Sequence, residues 1–278
     1  MTIRTILTCL LNEASAPLLS EASATLAAQY DAHLVGQHTF EAILVYPGVA
    51  MHIPGPTYAA FNDAQTAQSR AIEAVFREVT RKADVKSEWR AIDAGSALAS
   101  DRMIESARTV DLVVMTRPDR DYDRPDQRFA LDQVIRDGGR PVLLVPDNGL
   151  APTFGKIALI AHAGTRESAR AAFDLLPLLQ EKADVHVVHI GDEKDELRDG
   201  AMTELSASIS RYGHNVTMSH RTRHGKSIAD TLLAAATEVG ADVIAAGAYG
   251  HSRTYAFFLG DTTGSLIRHT KIPVLFSG

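Results

Sequence analysis

Three of the four glycines in "GAYGHSRTYAFFLGDTTG", Gly247, Gly250 and Gly260, stand between an apolar run and a stretch patterned like a helix. Glycine lets a backbone come close to a polyphosphate and aim its N–H groups at it, and a following helix adds partial positive charge at its N-terminus. The chemistry these residues could do is to cradle phosphate. Asp261 stands where the phosphate would go. As N-cap of a helix expected to begin near Thr262, its carboxylate would take the free N–H groups for itself and repel a triphosphate unless a cation intervened. Lys226, His251 and Arg253 offer some positive charge, although each also reads as a solvated loop residue. The glycines could equally be turn residues that serve only the fold.

Other chemistries find less support. No G-x-S-x-G, no Walker lysine motif and no partnered Cys–His arrangement occurs, so neither a nucleophilic hydrolase nor a P-loop enzyme is indicated. Eight of the eleven histidines lie in the second half. His186 and His189 are three apart in an expected strand and point to opposite faces, while His214, His220 and His224 have no ligand cluster around them, so no metal is expected. Asp119, Asp121 and Asp123 imitate the opening of a calcium loop, but Arg124 takes the glycine position and Ala130 that of the terminal glutamate. That loop reads as a solvated charged surface or a docking surface.

Composition sets the frame. The chain has 278 residues, 45% hydrophobic and 22% charged, enough for one large domain or two small ones. A net charge of -6 gives no basic footprint for nucleic acid. The single cysteine, Cys9, rules out an internal disulfide and reads as a buried small hydrophobe, which favours a reducing compartment. The N-terminal "IRTILTCLL" reads as a core strand rather than a leader, and no apolar run approaches the roughly 20 residues of a spanning helix. A cytoplasmic protein without membrane contact is expected.

The elements that must position the glycines come in two copies. "VIRDGGRPVLLVP" (134–146) aligns without a gap with "LIRHTKIPVLFSG" (266–278), so that Arg136 matches Arg268 and Pro141 matches Pro273. Upstream, "VDLVVM" (110–115) matches "ADVIAA" (241–246), and Gly95 falls opposite Gly225. The duplication implies domains at 1–147 and 154–278, joined by the Pro- and Gly-containing stretch 146–155. Each copy alternates strand and helix. In the first, strands are expected near 3–11, 33–40, 86–93, 111–115 and 141–145, with helices near 16–31, 58–82, 96–108 and 129–137. Continuous apolar strands such as "DLVVM" and "PVLLV" suit parallel strands buried on both faces. The class is therefore α/β, with two tandem doubly wound sheets and any ligand beyond the carboxyl ends of the strands. The last strand of each copy leaves an apolar edge, which antiparallel pairing of 141–146 with 273–277 would cover within one chain. Separate tethered domains are the alternative.

The strand "DVIAAGAYGHSR", the glycine spacing and the closing "IPVLFS" resemble the universal stress proteins, and the two copies resemble the tandem members of that family. The resemblance implies five-stranded parallel sheets of order 3-2-1-4-5, dimer-like packing through the last strands, ATP at the strand ends in some members, and a role in stress survival without defined catalysis. In the nucleotide-binding branch the motif is G-x2-G-x9-G followed by Ser or Thr. Gly247, Gly250 and Gly260 keep the spacing and Asp261 breaks its end. Binding relatives also carry an aspartate after the first strand, where this chain has His162 or Ala163.

The candidate nucleotide site thus comprises Gly247, Gly250, His251, Gly260, Asp261, Thr262, His162 and Ala163, while the first copy has lost the glycines altogether. It carries instead an insert, "YPGVAMHIPGPTY" (46–58), that could pack over the sheet or lid an apolar cavity. Three functions stay open: a stress-response binding protein with a degenerate or modified adenine-nucleotide site, a genuine ATP binder with slow hydrolysis, and a carrier of an apolar ligand. ATP is the one cofactor the chain is expected to accommodate, if it holds any. The expected associations are an intramolecular pseudo-dimer of the two copies, with a small-molecule ligand and a homodimer open to the chain.

Overall fold

The computed structural model describes residues 2–40, 55–95, 97–118, 125–191, 196–249 and 261–278, without the side chains of residues 55, 56, 58, 125, 196–199 and 261. Gly250, His251 and Gly260, most of the 46–58 insert and the aspartates of the 119–124 loop lie outside the described residues. Packing divides the chain into two compact units, Ile3–Val134 and Ile135–Gly278.

In the first unit, β1 (Thr5–Cys9), α1 (Ala16–Tyr30), β2 (His33–Phe40), α2 (Gly55–Lys82), β3 (Ser87–Asp93), α3 (Ala99–Ala107) and β4 (Leu112–Thr116) alternate, and α4 (Pro125–Asp137) follows. The strands run β3-β2-β1-β4, all parallel. Every residue of β4 is buried, as its unbroken apolar run requires of a central strand. The end of the insert, from Gly55, is already the first turn of α2. α4 begins at Pro125, before the expected 129, because proline's fixed φ suits a helix start. Gly36 in β2 has no Cβ for a packing reason: one would lie 2.7 Å from the ring of Phe76 on α2.

The second unit contains β5 (Val142–Val145), β6 (Ile157–Ala161), α5 (Arg166–Leu175), β7 (Asp184–Ile190), α6 (Glu196–Ser210), β8 (Asn215–Arg221), α7 (Ile228–Val239), β9 (Val243–Gly247), α8 (Asp261–His269) and β10 (Val274–Ser277). Its strand order is β5-β10-β9-β6-β7-β8, so the second repeat's own strands follow the order 3-2-1-4-5. All pairings here are parallel except β5 with β10, which is antiparallel with Val274 opposite Leu144, Leu275 opposite Leu143 and Phe276 opposite Val142. The last strand of the first repeat therefore packs with the second unit. Sequence repeat and packing unit divide the chain at different places, because β5 shares its hydrogen bonds with β10.

The repeat is also visible in one recurring bond. Asp111 accepts the N–H groups of Arg4 (2.8 Å) and Thr5 (3.0 Å) at the start of β1, and its counterpart Asp242 accepts those of Gly155 (2.9 Å) and Lys156 (3.2 Å) before β6. Each aspartate satisfies backbone donors at or just before the first residue of the central strand.

Directly opposed antiparallel residues lie about 4.5–5.5 Å apart at Cα, within disulfide range. A Leu143→Cys, Leu275→Cys variant is expected to crosslink under mild oxidation, seen as a two-proton mass loss, while Leu143→Cys with Leu266→Cys is not. Cys9 will not compete, since burial pushes its thiol up to about 12. A crosslink only in the second variant would refute the register.

Candidate functional site

The described part of the site lies at the carboxyl ends of β6 and β9 in the second unit. β9 ends at Gly247, and an added Cβ there would lie 2.5 Å from the backbone nitrogen of Ser168 and 2.9 Å from the Cβ of Glu167. Close packing of the strand end on the first turn of α5 thus excludes any side chain at this position. That demand exists without a ligand.

The first turn of α5 is itself closed. Thr165 is the N-cap, its hydroxyl oxygen accepting the Ser168 N–H at 3.3 Å, while the Ser168 hydroxyl oxygen accepts the Thr165 N–H at 3.1 Å. Next to this reciprocal pair, Glu167 is buried to 3% exposure and pairs with the exposed guanidinium of Arg166. Its Oε2 is buried without a hydrogen-bond partner. Burial works against ionisation, but the Arg166 guanidinium, the residue's own N–H and the Thr165 hydroxyl outweigh it and hold the carboxyl below its ordinary range. A carboxylate at the helix N-terminus, beside Gly247, makes this a poor place for an anion.

A positive charge arrives from an unexpected element. Arg136 of α4 lies over the ring of Tyr249, 4.5 Å from its centroid, two residues beyond the end of β9. Tyr249 has a φ of 56°, in the left-handed region that a residue with a Cβ seldom occupies. Arg136 matches Arg268 in the repeat, but nothing local in the sequence links it to Tyr249. Glu167 was more accessible to reasoning, because "GTRES" reads as a capped helix start with an acid in its first turn.

The turn after β6 places the two alternatives for the missing aspartate differently: Ala163 is exposed, whereas His162 is buried to 7%. The His162 carbonyl accepts from His189 Nδ1 at 2.9 Å, and the His189 ring packs 5.4 Å from that of His220, its direct neighbour in register on β8. His186 is half-buried, and His189 is buried. Among the described residues, no group of three or more His, Cys, Asp or Glu side chains is placed to hold a metal ion. Helix α8 opens at Asp261 itself, one residue before the expected Thr262, which is half-buried in its first turn. Asp261 therefore stands in the first turn, where a carboxylate favours the helix dipole.

Comparison with known proteins follows the same division. Residues 155–277 match the model of the universal stress protein family. They form a universal stress protein domain. The fold extends over both repeats: a universal stress protein from Archaeoglobus fulgidus DSM 4304 superposes with a TM-score of 0.74 at 16% identity, covering 98% of this chain and 95% of that one. A functionally unknown protein from Pseudomonas aeruginosa PAO1 superposes with a TM-score of 0.58 at 16% identity, covering 99% and 92%. The cytoplasmic domain of a prokaryotic cation chloride cotransporter does so with a TM-score of 0.50 at 10% identity, covering 99% and 95%. At these identities the likeness shows the fold alone. No curated protein sequence matches the chain. No helix among the described residues is long and apolar enough to cross a membrane.

If the packing at β9 is what requires glycine, Gly247→Ala should destabilise the chain by about 1–3 kcal/mol, the usual cost of forcing an extra carbon into a packed site. Urea unfolding followed by circular dichroism measures this. An unchanged midpoint would show that the glycine is not there for packing.

Proposed function

We propose that this chain is a cytoplasmic stress-response binding protein of the universal stress protein type, with a degenerate or modified adenine-nucleotide site in its second repeat, residues 154–278. The observation that carries this reading is the buried carboxylate of Glu167, beside Gly247 at the first glycine of the spacing. Together with Asp261 in the first turn of α8, it puts acidic groups at two helix N-termini beside the candidate site. A triphosphate approaching these residues would meet negative charge at both, and it would find no carboxylate after β6 to hold the nucleoside, because His162 and Ala163 occupy that place. The family resemblance supports the stress role. The charges argue for a ligand other than free ATP, or for none.

A second reading rests on Arg136. Its guanidinium over Tyr249 brings a cation to the start of the glycine loop, as a genuine ATP binder with slow hydrolysis would need.

Calorimetric titration with ATP, with and without magnesium, separates the two. The first reading expects little or no heat for the natural chain and measurable binding for Asp261→Ser, which removes a repulsive charge. Stability of that variant should fall by about 1 kcal/mol or less, since serine also serves at helix starts. Tight magnesium-dependent binding by the natural chain, weakened by Asp261→Ser, would mean that Asp261 holds a metal for the phosphates and would establish the second reading instead.

A further inference from the structure

The ends of β6, β7 and β8 bring together ring nitrogens that the nucleotide reading does not use. Ala161 pairs with Val188 and His189 with His220, and the His162 N–H donates to the Val188 carbonyl, so His162, His189 and His220 stand in one row across three adjacent strands. What His162 gives this row is its carbonyl oxygen, 2.9 Å from His189 Nδ1. A carbonyl oxygen only accepts, so Nδ1 carries the proton and, in the neutral ring, Nε2 keeps its lone pair.

The direction of that lone pair follows from the sheet order. β6 and β8 flank β7 on opposite sides. The two nitrogens of an imidazole face nearly opposite ways, so a ring whose Nδ1 is turned to β6 turns its Nε2 toward β8, where His220 is the direct neighbour on the same face. His220 Nε2 is itself buried and has no hydrogen-bond partner, a costly state that calls for one. Arg221, next along β8, points to the other face and pairs with Glu238 at 2.8 Å.

The two ring centroids are 5.4 Å apart, with planes tilted by 37°. A ring nitrogen about 2.0–2.1 Å from a zinc ion puts the ring centroid about 3.2 Å from it, so two rings at a tetrahedral angle have centroids about 5.2 Å apart. The observed spacing fits a shared ion. A bond from the other ring nitrogen to a carbonyl is also the support that a metal-ligating histidine ordinarily has, because it fixes tautomer and orientation. In the first copy the matching His38 makes the same bond, to the Leu10 carbonyl at 2.7 Å, but its neighbour on β3 is Ala91, and the ring lines a cavity of about 60 Å³ with Gln65, Gln68 and Gln127. The second imidazole is what the second copy adds.

From these paired imidazoles we infer that His189 and His220 bind a divalent transition-metal ion of the zinc type through their Nε2 atoms, with water completing a tetrahedral shell. The full chain, free of any affinity tag and labelled with ¹⁵N, is titrated with zinc chloride at pH 7.5, with magnesium chloride as the control because magnesium prefers oxygen ligands. Zinc is expected to move the Nε2 resonances of His189 and His220 together and saturably, and magnesium to move neither. His220→Gln, a change on the last strand of the sheet, should weaken zinc binding read by calorimetry by at least about tenfold, the least that loss of even an outer-shell partner costs. His224→Gln, which leaves both rings in place, should leave the affinity unchanged. The resonance shifts of the natural chain carry the test if the glutamine variant at 220 does not fold. Zinc that moves neither resonance, or that moves other histidines in their place, would overturn the inference. So would undiminished affinity in folded His220→Gln.

Discussion

The antiparallel pairing of β5 with β10 is the constraint on which the second unit is built. Each of these strands is four buried residues long and closes its repeat, so each has backbone groups and apolar side chains that need a partner. Joining them gives β9 a fully paired neighbour in β10, and β9 in turn places Gly247 against α5. The same pairing keeps β5 beside the second unit's sheet, and the chain just before it brings Arg136 over Tyr249. A segment contributed by one repeat, α4 followed by β5, thus brings a charged residue to the candidate site of the other.

At that site, structure and ligand chemistry compete for the same atoms. The backbone N–H groups of a helix N-terminus are the natural donors to a phosphate, yet in α5 the Ser168 N–H is already satisfied by Thr165, and Glu167 adds its charge beside it. Placing an ionised carboxylate in a buried position costs free energy, and Arg166, the helix dipole and nearby donors offset that cost. A phosphate there would have to displace or out-compete a charge already stabilised by the fold. This is why glycine spacing alone is weak evidence for nucleotide binding: Gly247 would be required here even with no ligand.

Much of the fold was legible because local rules sufficed. Strands such as β4 and β9 are short, unbroken apolar runs, and the gapless match of 134–146 with 266–278 revealed the duplication. The β5 and β10 pairing followed from asking what covers an apolar edge. Boundaries were less legible: β1 ends at Cys9, two residues before the expected Leu11, and α4 starts at its proline. The charged partners of the site were the least legible, since they depend on register. Arg136 meets Tyr249 across 113 positions of sequence, and His38 finds Leu10 only because β1 and β2 pair with Cys9 opposite Gln37. The histidines, read as scattered, become a structured feature only when β7 and β8 set His189 against His220.

The two repeats show how duplication frees a site to change. Both keep the elements that hold the strands: the aspartate that caps the central strand, Asp111 or Asp242, and the histidine that bonds back to the strand-end carbonyl, His38 or His189. These serve folding and recur. What surrounds them differs, because the glycine spacing survives in one copy only, and the histidine faces a polar cavity in the other. The two copies thus share a frame while the walls around it diverge. The aspartate bonds that both copies keep satisfy backbone donors where the central strand starts.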